Sequence, residues 1–339
     1  MKRNISLAIL TESSNKIGTG HLIESLNLAG LAGKKGFNIS FWVSRDSPKS
    51  VLKRIPFAYN QFSSLKEAKD ILRRISCDAA VFNFRRIDNN VLRSFRKNGL
   101  KTLCIDELGG RRLDCDAIVN PLIVDKYYQY PSRESYSRLY MGTDYLSMSS
   151  EFRKNRGRKN FSGKIKEVTV SMGGVDNSGT TLNLIDIMAE WRKEAIKNII
   201  IGGGFRFSEE VRSKILSLKG MNFKIYHNIE NIARLFTKSD VVFTAGGNTL
   251  YELACLGIPA IVLYEDEHER ENGAAFQKLG FGICLGRGTA TPTKKILAAL
   301  GKFDDPTLRK RHSARGMHVV DGNGADRILK ILEGLTKND

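Results

Sequence analysis

The stretch SSNKIGTGHLIESLNLAG, residues 13–30, joins a glycine loop to a helix and indicates the fold of the first half of the chain. It follows the apolar run ISLAIL, which reads as a buried strand. Gly18 and Gly20 allow a tight turn and a close approach of the backbone to a ligand. The leucines after His21 recur on one face of a helix. Strand, glycine loop and helix in this order predict a parallel sheet with crossover helices.

The same pattern continues along the chain, where apolar strand-like runs alternate with amphipathic runs of helix length. In the second half EVTVSMGG, KNIIIGGG and VVFTAGG each end in glycines. We therefore predict an α/β protein with two Rossmann-like domains facing a cleft, residues 1–155 and 165–339. Residues 151–166 are rich in Lys and Arg and read as a linker, or else as a long basic surface loop. Ligands of such sheets bind at the carboxyl ends of the strands.

Charge and composition limit the class of partner. The 339 residues carry 54 Lys and Arg against 36 Asp and Glu, an excess of 54 − 36 = 18. This excess favours phosphorylated small molecules, nucleic acid or an acidic bilayer. The absence of a zinc or helix-turn-helix pattern disfavours nucleic acid. No apolar run approaches the ~20 residues of a membrane span, and residues 52–62 are the candidate for peripheral contact with an anionic membrane.

Cysteine usage indicates the compartment. Five scattered cysteines, an odd number without a C-x-x-C pair, predict neither a disulfide framework nor a zinc site. A reducing cytoplasm fits this usage best. We expect no cofactor and no metal ion.

The first candidate site is the loop GTGH, with Gly18, Gly20 and His21. The positive dipole end of the following helix disfavours an imidazolium ion, so His21 is expected to be neutral near pH 7. A neutral imidazole can act as a general base. A buried histidine at a helix start is the alternative.

The second candidate site is SMGGVDNSG, residues 171–179, where Gly173 and Gly174 follow a strand. These glycines are expected to contact substrate, whereas Asp176 is expected to cap the next helix.

The third candidate site begins at Gly246 and Gly247, with Asn248 and Thr249 at the start of a helix. Such a helix end can bind a diphosphate. Glu252 lies three residues after Thr249, so it could complete a capping box. Alternatively its carboxylate accepts both hydroxyls of a ribose.

A further strand–helix junction, HERENGAA, supplies three polar side chains to the third site. His268, Glu269 and Asn272 are expected to reach a sugar ring.

These blocks together resemble a known family. The third block is similar to the nucleotide-sugar signature of GT-B-fold proteins, which include the N-acetylglucosaminyltransferase that completes lipid II. The whole chain resembles the pseudaminic-acid-pathway UDP-sugar hydrolases and the related spore-coat polysaccharide proteins. The matching segments, in the family's order, are SSNKIGTGH, CIDELGGRRLDCDAIVNP, YMGTDYLSMSSEF, SMGGVDNSG, GGNTLYELACLGIPAI and VDGNGADRI.

The resemblance implies a metal-free hydrolase that releases UDP from a UDP-linked diacetamido-trideoxyhexose, with inversion at the anomeric carbon. It implies that His21 is the catalytic base, that residues 246–249 and Glu252 hold UDP, and that Asn272 and its neighbours contact the sugar. The alternatives are a GT-B glycosyltransferase acting on a glycan or lipid-linked acceptor, and a nucleotide-sugar-binding protein without catalysis.

Two departures from the family pattern bear on the sugar and the acceptor. The hydrolases typically have an Asp, then a His or Ser, then a Tyr, where this chain has Asn83, Phe84 and Arg85. Many relatives have an arginine where this chain has Glu24.

Overall fold

The chain forms two compact units in the computed structural model, which describes residues 4–14, 18–53, 55–106, 108–130, 138–227, 229 and 231–337. Unit 1 comprises Met1–Ser149 and Gly322–Asp339, and unit 2 comprises Ser150–Asp321. Each unit holds one parallel sheet with helices on its faces.

The sheet of unit 1 has seven described strands in the order β3-β2-β1-β4-β5-β6-β7. These strands are β1 (Ser6–Thr11), β2 (Asn38–Ser44), β3 (Tyr59–Phe62), β4 (Ala79–Asn83), β5 (Lys101–Ile105), β6 (Ala117–Asn120) and β7 (Arg138–Met141). The helices between them are α1 (Gly20–Lys34), α2 (Lys49–Leu52), α3 (Ala68–Arg74) and α4 (Asn89–Lys97). Every described strand pair is parallel, as the alternation of apolar runs predicts.

The sheet of unit 2 has six described strands in the order β10-β9-β8-β11-β12-β13. They are β8 (Glu167–Ser171), β9 (Ile196–Ile201), β10 (Phe223–His227), β11 (Val241–Thr244), β12 (Ala260–Tyr264) and β13 (Ile283–Arg287). The helices of this unit are α5 (Ser150–Asn155), α6 (Thr180–Glu190), α7 (Ser208–Ser217), α8 (Ile232–Phe236), α9 (Asn248–Leu256), α10 (Glu267–Lys278), α11 (Thr293–Phe303) and α12 (Pro306–Val319).

The last helix, α13 (Gly324–Thr336), packs in unit 1, although the sequence had assigned the whole tail to the second domain. Ile328 and Leu332 are fully buried in the same core as Leu7 and Leu28 of unit 1. A Cβ at Gly324 would lie 2.1 Å from the Leu146 carbonyl oxygen, so only glycine fits at this contact. The late segment VDGNGADRI therefore packs against the segment YMGTDYLSMSSEF.

Residues 151–166 are part of unit 2, not the linker or basic surface loop that their charge predicts. Helix α5 lies at the start of this segment, and its Phe152 side chain is buried. Phe161 and Ile165 are buried as well. These three buried apolar side chains, spaced through a run of basic residues, pack the segment against unit 2.

The stretch proposed for membrane contact contributes apolar side chains to unit 1. Ile55 and Phe62 are buried, and the Phe57 ring packs edge-on against Phe41 with centroids 5.3 Å apart. Arg54 lies outside the described residues. None of the described helices is both long and apolar enough to cross a bilayer.

Candidate functional site

When the strands are numbered from the first strand of each unit, both sheets contain the order 3-2-1-4-5-6. Each sheet therefore has a switch point between its first and fourth strands, where successive connections run to opposite sides. In unit 1 this switch point lies between β1 and β4, and in unit 2 it lies between β8 and β11. Open parallel sheets bind ligands at the carboxyl ends of the strands that flank a switch point. The predicted glycine loops follow three of these four strands.

The first glycine loop closes on itself after β1. The Ser14 and Gly18 backbones exchange two hydrogen bonds, with N···O distances of 3.2 and 2.9 Å. Gly18 has a φ of +83°, which favours glycine. Helix α1 begins at Gly20, and no side chain of the described residues caps it. Residues 15–17 of this loop lie outside the described part of the chain.

His21 stands in the first turn of α1 and is partly buried. Burial lowers the pKa of His21, Glu12 opposes this shift, and Arg85 adds to it. The imidazole is therefore neutral at pH 7, as predicted, although burial is the largest cause. Glu12 follows β1 and accepts a hydrogen bond from the Arg85 backbone N–H. The two residues whose charges act on the pKa of His21 are therefore in contact with each other.

Asn83 ends β4 and joins His21 to Glu24. The Asn83 side-chain amide donates to the His21 carbonyl oxygen at 3.1 Å and to the Glu24 carboxylate at 3.3 Å. Both Asn83 and Glu24 are buried. The two positions that depart from the hydrolase pattern are thus in direct contact, and together they fix the backbone that carries His21.

The glycines of unit 2 bring backbones into close contact. Gly173, with φ of +85°, and Gly174 follow β8 and are exposed. Gly202 follows the neighbouring strand β9, and a Cβ there would lie 2.4 Å from the Gly173 carbonyl oxygen. The Gly204 backbone N–H donates to the Gly174 carbonyl at 2.9 Å. The run GGG at 202–204 therefore belongs to this edge of the sheet, although sequence reasoning treated it only as a strand end.

Asp176 caps α6, as expected. Its two carboxylate oxygens accept the backbone N–H groups of Thr180 at 2.8 Å and Thr181 at 2.7 Å. Because this carboxylate is buried and bonded at both oxygens, its contacts serve the helix.

Helix α9 begins at Asn248, with Gly247 as its N-cap, and no side chain of the described residues caps it. Gly246 is buried, Gly247 and Thr249 are partly exposed, and Asn248 is exposed. Gly246 has a φ of +108°, and a Cβ there would lie 2.7 Å from the Glu269 carbonyl oxygen. The backbone N–H groups at this helix end form the kind of site that binds phosphate oxygens.

Glu252 does not form a capping box, because Thr249 lies inside the helix instead of at its N-cap. No hydrogen bond or ion pair joins the Glu252 carboxylate to the described part of the chain. Desolvation raises the pKa of Glu252 to about 8. A partly exposed carboxyl group that is costly to ionise and has no protein partner is a candidate for ligand binding.

Helix α10 carries the other predicted residues of unit 2. Burial raises the pKa of Glu269 to about 7, and its carboxylate accepts the Glu265 backbone N–H at 2.8 Å. The other Glu269 oxygen lies 3.9 Å from the place that a Cβ of Gly247 would take. Glu269 is therefore next to the start of α9, where it can meet a ligand that is bound there.

Asn272 is buried, and its amide is used within the protein. It donates to the Gly246 carbonyl at 3.2 Å and accepts from the Tyr251 hydroxyl at 3.0 Å. Its amide nitrogen also lies 3.5 Å from Nδ1 of His268, which is partly exposed. The geometry thus gives Asn272 a positioning contact with the glycine turn, while His268 and Glu269 are the more accessible members of the predicted set.

The predicted residues therefore form two groups, each at the switch point of one sheet. Sequence reasoning missed the contact partners of His21 and the glycines after β9, although the run GGG at a strand end was a visible signal. Among the described residues, no three His, Cys, Asp or Glu side chains are placed to hold a metal ion together.

Comparison with known families matches residues 172–322 to the glycosyltransferase family 28 C-terminal domain. This range covers nearly all of unit 2, including every predicted site residue of that unit.

Two relatives extend the similarity into unit 1. The spore coat polysaccharide biosynthesis protein SpsG of Bacillus subtilis is 25% identical over 98% of this chain and 99% of its own length. An uncharacterized protein of Methanocaldococcus jannaschii is 28% identical over 79% of this chain. The chain spans 57% of the length of that second relative.

Solved structures share the fold at low sequence identity. MurG of Acinetobacter baumannii has a TM-score of 0.69 at 13% identity, covering 97% of this chain and 99% of its own. A UDP-glucosyltransferase of Polygonum tinctorium has a TM-score of 0.70 at 11% identity and covers 100% of both chains. UDP-GlcNAc 2-epimerase of Neisseria meningitidis has a TM-score of 0.64 at 12% identity, covering 97% of this chain and 100% of its own. The prediction of two Rossmann-like domains is confirmed: the chain has the GT-B fold, and its second unit is similar to the C-terminal domain of glycosyltransferase family 28.

Proposed function

We propose that this protein is a UDP-sugar hydrolase of surface-polysaccharide or nonulosonic-acid biosynthesis, with a UDP-linked diacetamido-trideoxyhexose as the substrate class. The observation that carries the proposal is the Glu252 carboxyl group, which is desolvated, partly exposed and without a hydrogen-bond or ion-pair partner in the described chain. It stands on the first turns of α9, whose N-terminal backbone donors suit a diphosphate.

Binding of UDP would use the switch point of unit 2. Backbone N–H groups of residues 246–249 would hold the diphosphate, and Glu252 would accept the two ribose hydroxyls. The exposed Gly173 and Gly174 leave room for the backbone to approach the ligand. Glu269, with a pKa of about 7, can take up a proton and donate to a sugar substituent without adding negative charge beside the diphosphate.

Cleavage would use the switch point of unit 1. The neutral His21 takes a proton from water as its oxygen bonds to the anomeric carbon, and the bond from that carbon to the UDP oxygen breaks. The electron pair leaves with UDP, and the helix N-terminus stabilises the developing charge. Attack opposite to the leaving group gives the free sugar with inverted configuration.

Transfer of the sugar to a glycan or lipid-linked acceptor is the second candidate. The match of unit 2 to a glycosyltransferase domain favours it, and so does the excess of 18 positive charges, which suits an acceptor on an anionic membrane. In that reaction His21 would deprotonate an acceptor hydroxyl in place of water.

A panel of UDP-sugars without acceptor separates the two reactions. Steady release of UDP and free sugar that is lost in His21→Gln is the expected result. Tight UDP binding with no turnover, followed by turnover when a glycan or lipid acceptor is added, would replace hydrolysis by transfer. No UDP binding at all would contradict both.

We also infer that the protein works in the cytoplasm, where UDP-sugars would be its substrates. The cysteine usage supports this, since the five cysteines are scattered, odd in number and without a C-x-x-C pair.

A further inference from the structure

A pocket in unit 2 lies at the opposite edge of the sheet from the candidate UDP site. Its cavity has a volume of about 600 Å³. It is bounded by the end of α10, the turn at Gly280 and Gly282 before β13, the end of α11, and α12. Because β13 begins at Ile283, the pocket lies at the amino end of this strand. The strands of the sheet are parallel, so this is the edge opposite to their carboxyl ends. We call it the α12 pocket.

The charge of the α12 pocket is uniformly positive. Lys302 comes from α11, and Arg311 and Arg315 are four residues apart on α12, so they share one helix face. All three are exposed, and no hydrogen bond or ion pair joins their side chains to the described residues. None of the described lining residues is acidic. Cations of one sign around a concave surface concentrate anions there.

His312 supplies a directed donor to the α12 pocket. Its Nδ1 accepts a hydrogen bond from the Gly282 backbone N–H at 3.0 Å, and its ring packs edge-on against Phe303 with centroids 4.9 Å apart. The neutral ring must then carry its proton on Nε2, which has no partner among the described residues. The His312 side chain is only 8% exposed yet lines the cavity, so this N–H is a donor that a ligand in the cavity can use.

Burial, reinforced by Arg311, lowers the pKa of His312 to about 4. The imidazole therefore remains a neutral donor at pH 7, and the positive charge of the pocket comes from Lys302 and the two arginines.

We propose that the α12 pocket binds the phosphate group of an anionic ligand, independently of the UDP-sugar reaction. Guanidinium groups match phosphate oxygens in pairs, and the lysine adds a point charge. A volume of about 600 Å³ exceeds that of a single phosphate and lies within the range of small-molecule sites. The ligand is thus a phosphorylated metabolite or the phosphate headgroup of a lipid, which share the recognised chemistry.

The test is calorimetric titration of the full chain with inorganic diphosphate in the presence of saturating UDP. We expect the double variant Arg311→Gln/Arg315→Gln to bind diphosphate at least about tenfold more weakly, since two charge-assisted contacts are lost. The control is Lys294→Gln/Lys295→Gln, which removes the same charge from exposed positions at the start of α11. The control should change diphosphate affinity less than about twofold, because only non-specific attraction is reduced.

The source of the phosphate is distinguished with vesicles made of equal parts phosphatidylglycerol and phosphatidylcholine. Saturable diphosphate binding that is lost in the arginine variant identifies a soluble ligand. Binding to vesicles only, again lost in the arginine variant and retained in the lysine control, identifies a lipid headgroup.

Equal losses in the two double variants, or no binding to either probe, would overturn the proposal. UDP affinity measured alone should be the same in all variants, so a failure of the UDP site would be seen separately. Thermal melting checks the fold, and we expect little change because the arginines are unpaired.

Discussion

The two switch points have the same topology but differ in what surrounds the strand ends. In unit 1 the Asn83 side-chain amide donates to the Glu24 carboxylate and to the backbone carbonyl of His21. In unit 2 the corresponding edge exposes glycine backbone and includes the carboxyl group of Glu252, which has no hydrogen-bond or ion-pair partner in the described chain.

This difference fits the division of labour that the proposed function requires. A base must be held at one place, so its surroundings are filled with hydrogen bonds. A ligand needs free hydrogen-bond donors and acceptors, so some polar groups of its binding site have no protein partner before the ligand binds. We therefore expect substitutions in unit 1 to change turnover more than UDP affinity, and substitutions in unit 2 to do the reverse.

The largest effect should follow His21→Gln, which keeps about the size of the side chain and removes the proposed base. We expect turnover of the UDP-sugar to fall by about 10²- to 10⁴-fold. UDP affinity should stay within about twofold of the wild type, because the proposed leaving-group contacts belong to unit 2. Single-turnover UDP release and UDP calorimetry measure the two quantities. A loss of UDP affinity as large as the loss of turnover would break the division of labour.

The positions of the two candidate sites could be predicted from the sequence, because glycines follow strands in each of the two predicted sheets and so indicate the carboxyl-terminal edge of each sheet. The short strands β3, β7 and β13 were not predicted. Each is an outermost strand of its sheet, where most residues are only partly buried or exposed and the apolar run is broken. The central strand β11 is buried at every position and is predicted by the apolar run VVFTAGG.

Contacts between distant segments could not be predicted in the same way. Asn83 and Glu24 are 59 residues apart, and nothing in either local pattern announces their hydrogen bond. Helix α13 shows the same limit, because an apolar stripe indicates that a helix packs but does not indicate which core it covers. The buried contact of Gly324 with Leu146 supplies that information.

The next effect should follow Glu252→Ala. Loss of two charge-assisted hydrogen bonds to the ribose should weaken UDP binding by about 2–4 kcal/mol, which is roughly 30-fold or more. The melting temperature should not fall, since the carboxyl group has no hydrogen-bond or ion-pair partner in the described chain and is costly to desolvate. Calorimetry and thermal melting give the two values. Reduced stability with unchanged UDP affinity would mean that Glu252 serves the fold.

A smaller effect is the pH dependence that this carboxyl group should give to binding. If two ribose hydroxyls donate to an ionised Glu252, its pKa falls below about 8 in the complex, so binding releases a proton. Uridine affinity should then rise with pH, by up to about tenfold per unit, and become constant above pH 8. Uridine is the probe because it lacks phosphate groups that titrate themselves. Glu252→Gln should remove the dependence, and an affinity that falls as pH rises would mean that the neutral acid binds.

The smallest effect sharpens the comparison within unit 1. In Asn83→Asp the donor to the His21 carbonyl and to Glu24 is lost, and two carboxyl groups face each other. We expect turnover to fall about tenfold while UDP affinity is unchanged, because His21 is displaced but still present. Adding Glu24→Gln restores a donor between the two side chains and should recover most of the turnover, which a double-mutant cycle measures as coupling. Additive losses in the double variant would mean that the pair does not act together on His21, and the contact would then be one of stability alone.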